Sequence, residues 1–188
     1  SYHTRKELRR KLKKAQASDT IDVKVVNAID DMIEPVYRLY LNTYNAGTVR
    51  FEKLTKDFFL EISRRLPGQA KYFLYFVNGQ LVAFNLCFLD GDTLIDKFIG
   101  FDYALAKQYN LYFYTWYYNI EWCLTNGIRH YQVGQTDYGP KVKLGGQLVP
   151  LFVLLRHRNA WLNQIFRQLA KIFSPTSNDD LLKNSDAS

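Results

Sequence analysis

The sequence predicts a mixed α/β fold of the α+β kind, with a central, mostly antiparallel sheet flanked by helices. Three observations carry this. Alternating apolar runs over Lys71–Val77, Gln80–Leu89 and Thr93–Phe101 are joined by Asn78-Gly79 and Asp90-Gly91, dipeptides that favour tight hairpins. Segments of helical periodicity lie on both sides of this meander. The chain has 188 residues, 47% hydrophobic and 16% aromatic, enough for one core of ordinary size. About six strands are expected in all.

The elements follow in order. Thr4–Ala17 reads as a helix, with Thr4 as cap and Glu7 placed for a capping box. Arg5–Lys14 holds seven basic side chains and one Glu, so it carries nearly all of the formal charge of +7. Either this helix contacts anionic lipid or RNA, or it is a solvated surface helix, which is the commoner case. The near-neutral remainder does not imply a general nucleic-acid surface. Ile21–Ala28 alternates as a first strand. Asp30–Tyr44 reads as a helix with Pro35 in its first turn, where proline is tolerated. Thr55–Leu66 is a second helix, capped by Thr55 and stopped before Pro67-Gly68.

After the meander, Tyr109–Thr125 reads as a helix that is aromatic almost all round, ended by Asn126-Gly127. Such a helix is buried, or faces a sheet on one side and a groove on the other. Ile128–Val133 and Gln147–Leu155 read as two further strands. The polar, glycine-rich loop Gly134–Gly146 joins them, and its lysines and amides suit an anionic group. Trp161–Phe173 is an amphipathic helix. The organisation expected is a basic helix over 1–19, a single domain over 20–174 and a disordered polar tail over 175–188.

Several classes are excluded by pattern. No apolar run approaches the roughly 20 residues of a membrane span, and nothing in the basic N-terminal stretch reads as a secretory signal. The two cysteines, Cys87 and Cys123, lie inside apolar runs and read as buried thiols, consistent with a cytoplasmic protein. No metal-ligand spacing and no convincing Ser/His/Asp or Cys/His set occurs. The histidines beside strands, His130 and His157, read as structural. Asp96 stands out, because Leu94, Ile95 and Phe98 surround it. A carboxylate held among apolar groups is pushed toward its neutral form and suits a general base; the alternative is a solvent-facing carboxylate or one paired with Lys97.

The order strand, helix, helix, three antiparallel strands, helix, strand resembles the GNAT N-acyltransferase fold. It resembles in particular the Fem-like branch, which includes peptidyltransferases of cell-wall assembly. The residues that carry the likeness are the Asn78-Gly79 meander, Tyr118–Gly127, the strand into Gly134, Tyr138-Gly-Pro-Lys141, Lys143-Leu-Gly145, Val149-Pro-Leu and Arg156-His-Arg-Asn159. It covers roughly residues 20 to 173, most strongly 70 to 159. Two places depart from the general GNAT pattern. The phosphate loop expected before the aromatic helix reads Ala104–Tyr112 without a glycine. The Gly134–Gly146 loop replaces the helix that usually follows the fifth strand, which is a Fem-like trait.

The resemblance implies transfer of an acyl group from a thioester, or from an aminoacyl ester on tRNA, to an amine by direct attack. The leading expectation is an N-acyltransferase using acyl-CoA as co-substrate, with no metal. The alternatives are Fem-like aminoacyl transfer from tRNA to a peptidoglycan precursor, and a non-catalytic binding domain. The amine acceptor is thus a small molecule or a peptidoglycan precursor, and the basic N-terminal helix is the expected tRNA contact. Asp96 and Tyr138 are the expected catalytic residues. Asp137, Lys141, Lys143 and Gly145 are expected to bind substrate. The amides of Tyr109, Asn110 and Leu111 are expected to face the donor's phosphates, where the third meander strand parts from Ile128–Val133.

Overall fold

The computed structural model describes residues 6, 10, 21–47, 53–134, 138–149 and 156–172. The chain gathers into two compact units, Ser1–Gly134 and Gln135–Ser188. The limits expected at residues 20 and 174 lie outside the described residues, as does the polar tail. Of the basic segment only Lys6 and Arg10 are described, both helical and exposed.

The first unit begins with β1 (Ile21–Val26), a short 3-10 turn (Asp30–Met32), α1 (Ile33–Ala46) and α2 (Lys56–Arg65). Pro35 sits in the first turn of α1, where its missing N–H costs nothing. The Thr55 hydroxyl accepts from the Phe58 amide and caps α2. Then come β2 (Ala70–Val77), β3 (Gln80–Asp90) and β4 (Thr93–Phe101). Asn78 (φ 49°) and Gly79 (φ 76°) both lie in the left-handed region, the geometry of the hairpin turn whose twist matches that of the strands.

A short helix, α3 (Tyr103–Tyr109), precedes α4 (Leu111–Thr125) and β5 (His130–Gln132). The expected single helix from Tyr109 is therefore two. The Asp102 carboxylate accepts from the Ala104 and Leu105 amides and starts α3. Asn110 turns left-handed (φ 56°, ψ 38°) and separates it from α4, a conformation that asparagine tolerates better than most residues. At the other end of α4 the Ile128 amide donates to Cys123 and the Gly127 amide to Leu124. These two bonds satisfy carbonyls that the helix end would otherwise leave bare.

The sheet has the order β1-β2-β3-β4-β5. β1 to β4 are antiparallel neighbours, and β5 runs parallel to β4. Five strands are present among the described residues where about six are expected: Gln147–Val149 belong to no regular element, and residues 150–155 lie outside the described ones. One face of the sheet packs against α1 and α2 through Tyr72, Leu74, Phe84 and Leu86 with Val36, Leu39, Tyr40 and Phe59. The other packs against α3 and α4 through Phe73, Tyr75, Ala83 and Cys87 with Tyr109, Leu111, Tyr114 and Cys123. Both cysteines are buried free thiols.

Two breaks in register shape the sheet. Tyr75 pairs with Ala83 but Phe76 with Leu81, so Val82 is an extra residue on β3. Leu86 pairs with Phe98 but Cys87 with Asp96, so Lys97 is an extra residue on β4. A bulge of this kind shifts the phase of alternation. It lets Phe98 pack on the α1/α2 face while Asp96 lies on the α4 face beside Asn85.

In the second unit, α5 (Tyr138–Lys143) and α6 (Ala160–Ile172) are helices. The stretch expected to be an open loop thus contains a helical turn, with Pro140 near its start. The Gly145 and Gly146 amides donate to Val142 and Lys141, and Gly145 is left-handed (φ 92°), so these glycines end the helix. The Asn159 side chain accepts from the Trp161 amide at the start of α6.

Candidate active site

Asp96 lies one residue beyond the last step at which β4 and β5 pair. That pairing runs Thr93 to His130, Leu94 to Tyr131 and Ile95 to Gln132. β4 then continues to Phe101 while β5 ends, so the two parallel strands part at the carboxylate. The Asn85 side-chain amide donates to both carboxylate oxygens at 2.9 Å. The Tyr131 hydroxyl donates to Oδ2 at 2.8 Å.

The network continues inward. Asn119 of α4 donates to the Tyr131 oxygen at 3.0 Å, and the Tyr75 hydroxyl donates to Asn119 Oδ1 at 2.6 Å. Tyr75 also approaches the Thr115 carbonyl at 3.4 Å. Tyr75, Asn85 and Asn119 have no exposed surface. Asn85 Oδ1 has no hydrogen-bond partner. Turning the amide over would aim this oxygen at the carboxylate, so the bare carbonyl accompanies the orientation that donates to Asp96.

Burial, with Asp96 nearby, pushes the Tyr131 phenol well above its usual range, and burial with Cys87 and Asp96 does the same to Tyr75. Both stay protonated and can donate. Burial, then the charge and a hydrogen bond of Asp96, push the Cys87 thiol up as well, which makes it a neutral neighbour rather than a nucleophile. Among the described residues no group of three His, Cys, Asp or Glu could hold a metal ion, and no helix is long and apolar enough to cross a membrane.

Other sequence-expected positions fall as follows. Tyr109 is a buried member of α3, and the Asn110 amide donates to the Ala106 carbonyl. Leu111 opens α4. Lys141 is buried rather than solvated. Gly145 ends α5. Asp137 lies outside the described residues, as do the side chains of Tyr138 and Lys143. His130 is exposed, 4.0 Å from Asp92, and the His157 ring accepts from the Asn159 amide ahead of α6.

The sequence singles out Asp96 but not Asn85, Tyr131, Asn119 and Tyr75, which the structure gathers into one network with it. A signal existed for two of them. Asn85 interrupts the apolar run Val82–Phe88, and Asn119 stands amid the aromatics of α4. A buried amide needs partners, and each of these lies close enough to the other polar groups to find one.

Known proteins bear on this arrangement. The family model described as acetyltransferase (GNAT) domain matches residues 3–142. Over 140 residues, 70% of the chain, the sequence is 28% identical to a Mycobacterium tuberculosis protein named "Putative 8-amino-7-oxononanoate synthase 2", in strains CDC 1551 / Oshkosh and ATCC 25618 / H37Rv. The chain spans 18% of that protein's length. Among solved structures, "a possible acetyltransferase from Clostridium difficile 630" is similar at TM-score 0.54 and 13% identity, covering 74% of this chain and 99% of that one. An aminoglycoside acetyltransferase from an uncultured soil metagenomic sample, in complex with sisomicin, is similar at TM-score 0.49 and 11% identity, covering 72% and 97%. The fold is thus shared at low identity, and the family match spans most of the chain. On that match, the chain belongs to the GNAT acetyltransferase domain family.

Proposed function

We propose that the protein is an N-acyltransferase that moves an acyl group from acyl-CoA to an amine by direct attack, with no acyl-enzyme intermediate. The observation that carries this reading is the hydrogen-bonded Asp96 carboxylate at the point where β4 and β5 part. The amine nitrogen attacks the thioester carbonyl, the carbon–sulfur bond breaks, and CoA leaves as a thiolate that takes up a proton. The amine's displaced proton passes to Asp96. A carboxylate already fixed by donors is ready for that role before substrate arrives.

The chain's features suit such a donor. β5 pairs with β4 only through Ile95. Phe101 turns its amide and carbonyl away from β3, toward Thr43 Oγ1 and Asn42 Nδ2 of α1. By strand alternation Ile99 directs its own the same way. An extended arm bearing amides, such as pantetheine, can add to that edge at Ile99, ahead of the Phe101 groups that α1 already holds. For the phosphates, α3 is unsuited, because the Asp102 carboxylate already takes its first amides. The start of α4 at Leu111 is the better fit, with the exposed Lys107 in the last turn of α3 nearby in sequence.

Within residues 137–145 the proposal keeps Tyr138 as a proton donor, and Asp137, Lys141, Lys143 and Gly145 as substrate contacts. The Fem-like alternative rests on the basic stretch Arg5–Lys14, since tRNA binding needs phosphate contacts. Melting curves with acetyl-CoA, free CoA and aminoacyl-tRNA, side by side, test these readings. Stabilisation by both CoA species, with acetyl transfer to a panel of amines that is lost in Asp96→Asn, is expected. Stabilisation by the charged tRNA alone would overturn the acyl-CoA reading.

A further inference from the structure

We propose that Tyr131, Asn119 and Tyr75 are positioning residues for Asp96, linked in a one-directional hydrogen-bond chain that orients its carboxylate and favours its ionised form. The inference rests on the proposed acyl transfer, in which Asp96 takes the proton of the amine.

The direction of the chain follows from its atoms. The Tyr75 hydroxyl donates to Asn119 Oδ1 at 2.6 Å, which commits Asn119 Nδ2 to the donor side. That nitrogen donates to the Tyr131 oxygen at 3.0 Å, which commits the Tyr131 proton to Asp96 at 2.8 Å. Every donor thus points one way, toward the carboxylate. Aligned hydrogen bonds polarise one another in a low-dielectric interior, and donors to an ionised carboxylate favour that form.

The chain is not a route for protons to solvent. Its inner end, Tyr75 and Asn119, has no exposed surface, and an amide at its middle does not exchange its proton as a hydroxyl does. Its three members come from β2, α4 and β5, so the orientation of Asp96 is tied to three elements of the core at once. Titratable groups that face Asp96 include Cys87 from β3, Tyr131 from β5 and Tyr75 from β2, each held neutral by burial. From α4 the uncharged Asn119 faces it.

The test is the pH titration of the Asp96 carboxyl carbon by NMR in protein labelled with carbon-13 aspartate, with no substrate present. Tyr131→Phe is expected to raise the Asp96 midpoint by about one pH unit, since a donor to the charged form is lost. Asn119→Leu is expected to raise it less, and Tyr75→Phe least. Tyr75→Phe keeps the ring and its packing, so the ranking is still read if Tyr131→Phe fails to fold. In the transfer assay the acid limb of kcat/KM moves with the NMR midpoint. Lowered melting temperatures with an unmoved Asp96 titration would overturn the proposal. Shifts in the expected order in a protein that transfers no acyl group would leave the chain standing and sink the transfer reading instead.

Discussion

Gly100 of β4 lies directly beneath the backbone of Leu39 in α1: a Cβ at Gly100 would come within 2.7 Å of the Leu39 carbonyl carbon and 2.3 Å of the Phe84 ring. The helix settles on the strand because no side chain separates them. Gly100→Ala forces α1 or Phe84 to move and is expected to cost about 1–3 kcal/mol, as overpacked cores do. Urea denaturation measures this. An unchanged midpoint would mean that α1 does not sit on β4 as described.

The Tyr75–Asn119 pair makes a second prediction. Tyr75→Phe leaves the buried Asn119 Oδ1 without its donor, and the expected loss is about 1–3 kcal/mol. Asn119→Leu removes the orphaned acceptor, so the double variant should lose less than the sum of the two single losses. Simple additivity in a denaturant cycle would show that the 2.6 Å contact has no energetic content.

Alkaline pH should unfold the protein through its buried phenols and thiols. Burial pushes Tyr72 up to about 12 from 10, and Cys123 up to about 11 from 9. Tyr75, Tyr131 and Cys87 are raised too. Each group binds its proton more tightly folded than unfolded, so its contribution is complete below the unfolded value and is lost as pH rises through the folded one. Stability should therefore begin to fall near pH 9 and fall more steeply between pH 10 and 12. Denaturation at a series of pH values checks this, and Tyr72→Phe should flatten the upper part of the descent.

Lys141→Ala is expected to raise KM with kcat held, because a point charge binds ground and transition states alike. Since Lys141 is buried, the same substitution should also lower stability, by about 1 kcal/mol. Tyr138→Phe should lower kcat instead. Steady-state kinetics separates the two. Normal ligand binding in both Lys141→Ala and Lys143→Ala would remove the substrate role from this segment.

Much of the first unit was legible because its signals are local. Asn78-Gly79 announces a turn that needs two left-handed residues, and both adopt that conformation. Thr55 announces a cap, and Phe58 donates to it. Asp96 was legible as a carboxylate in an apolar strand. What could not be read depends on partners distant in sequence. The extra residues Val82 and Lys97 are defined by the neighbouring strand, and nothing in their own segments marks them. Tyr131 looked like one aromatic among many, and only the approach of α4 to the sheet brings Asn119 to its hydroxyl. The break at Asn110 was missed because a helical pattern runs through it, and only the backbone shows the left-handed turn. Pro140 and the paired glycines that bound α5 read equally well as loop chemistry.

The added residue on β4 divides that strand into two stretches with separate obligations. Beyond it, Phe98 packs on the α1/α2 face while Ile99 and Phe101 pack on the α3/α4 face; before it, Thr93 to Ile95 pair with β5 and Asp96 meets Tyr131 of β5. Drawing Lys97 into the ladder, with the pairing held from Phe98 onward, would be a frameshift written in three dimensions, whereas deleting it would leave Asp96 opposite Cys87. The composition would be unchanged, yet Asp96 would turn to the face of Phe58 and Phe59, and the donors now aimed at it would face Lys97. The exclusion of one exposed lysine from the ladder therefore decides on which side of the sheet the acid stands. Redesign of the α1 face can proceed independently of the acid as long as that one residue stays outside the pairing.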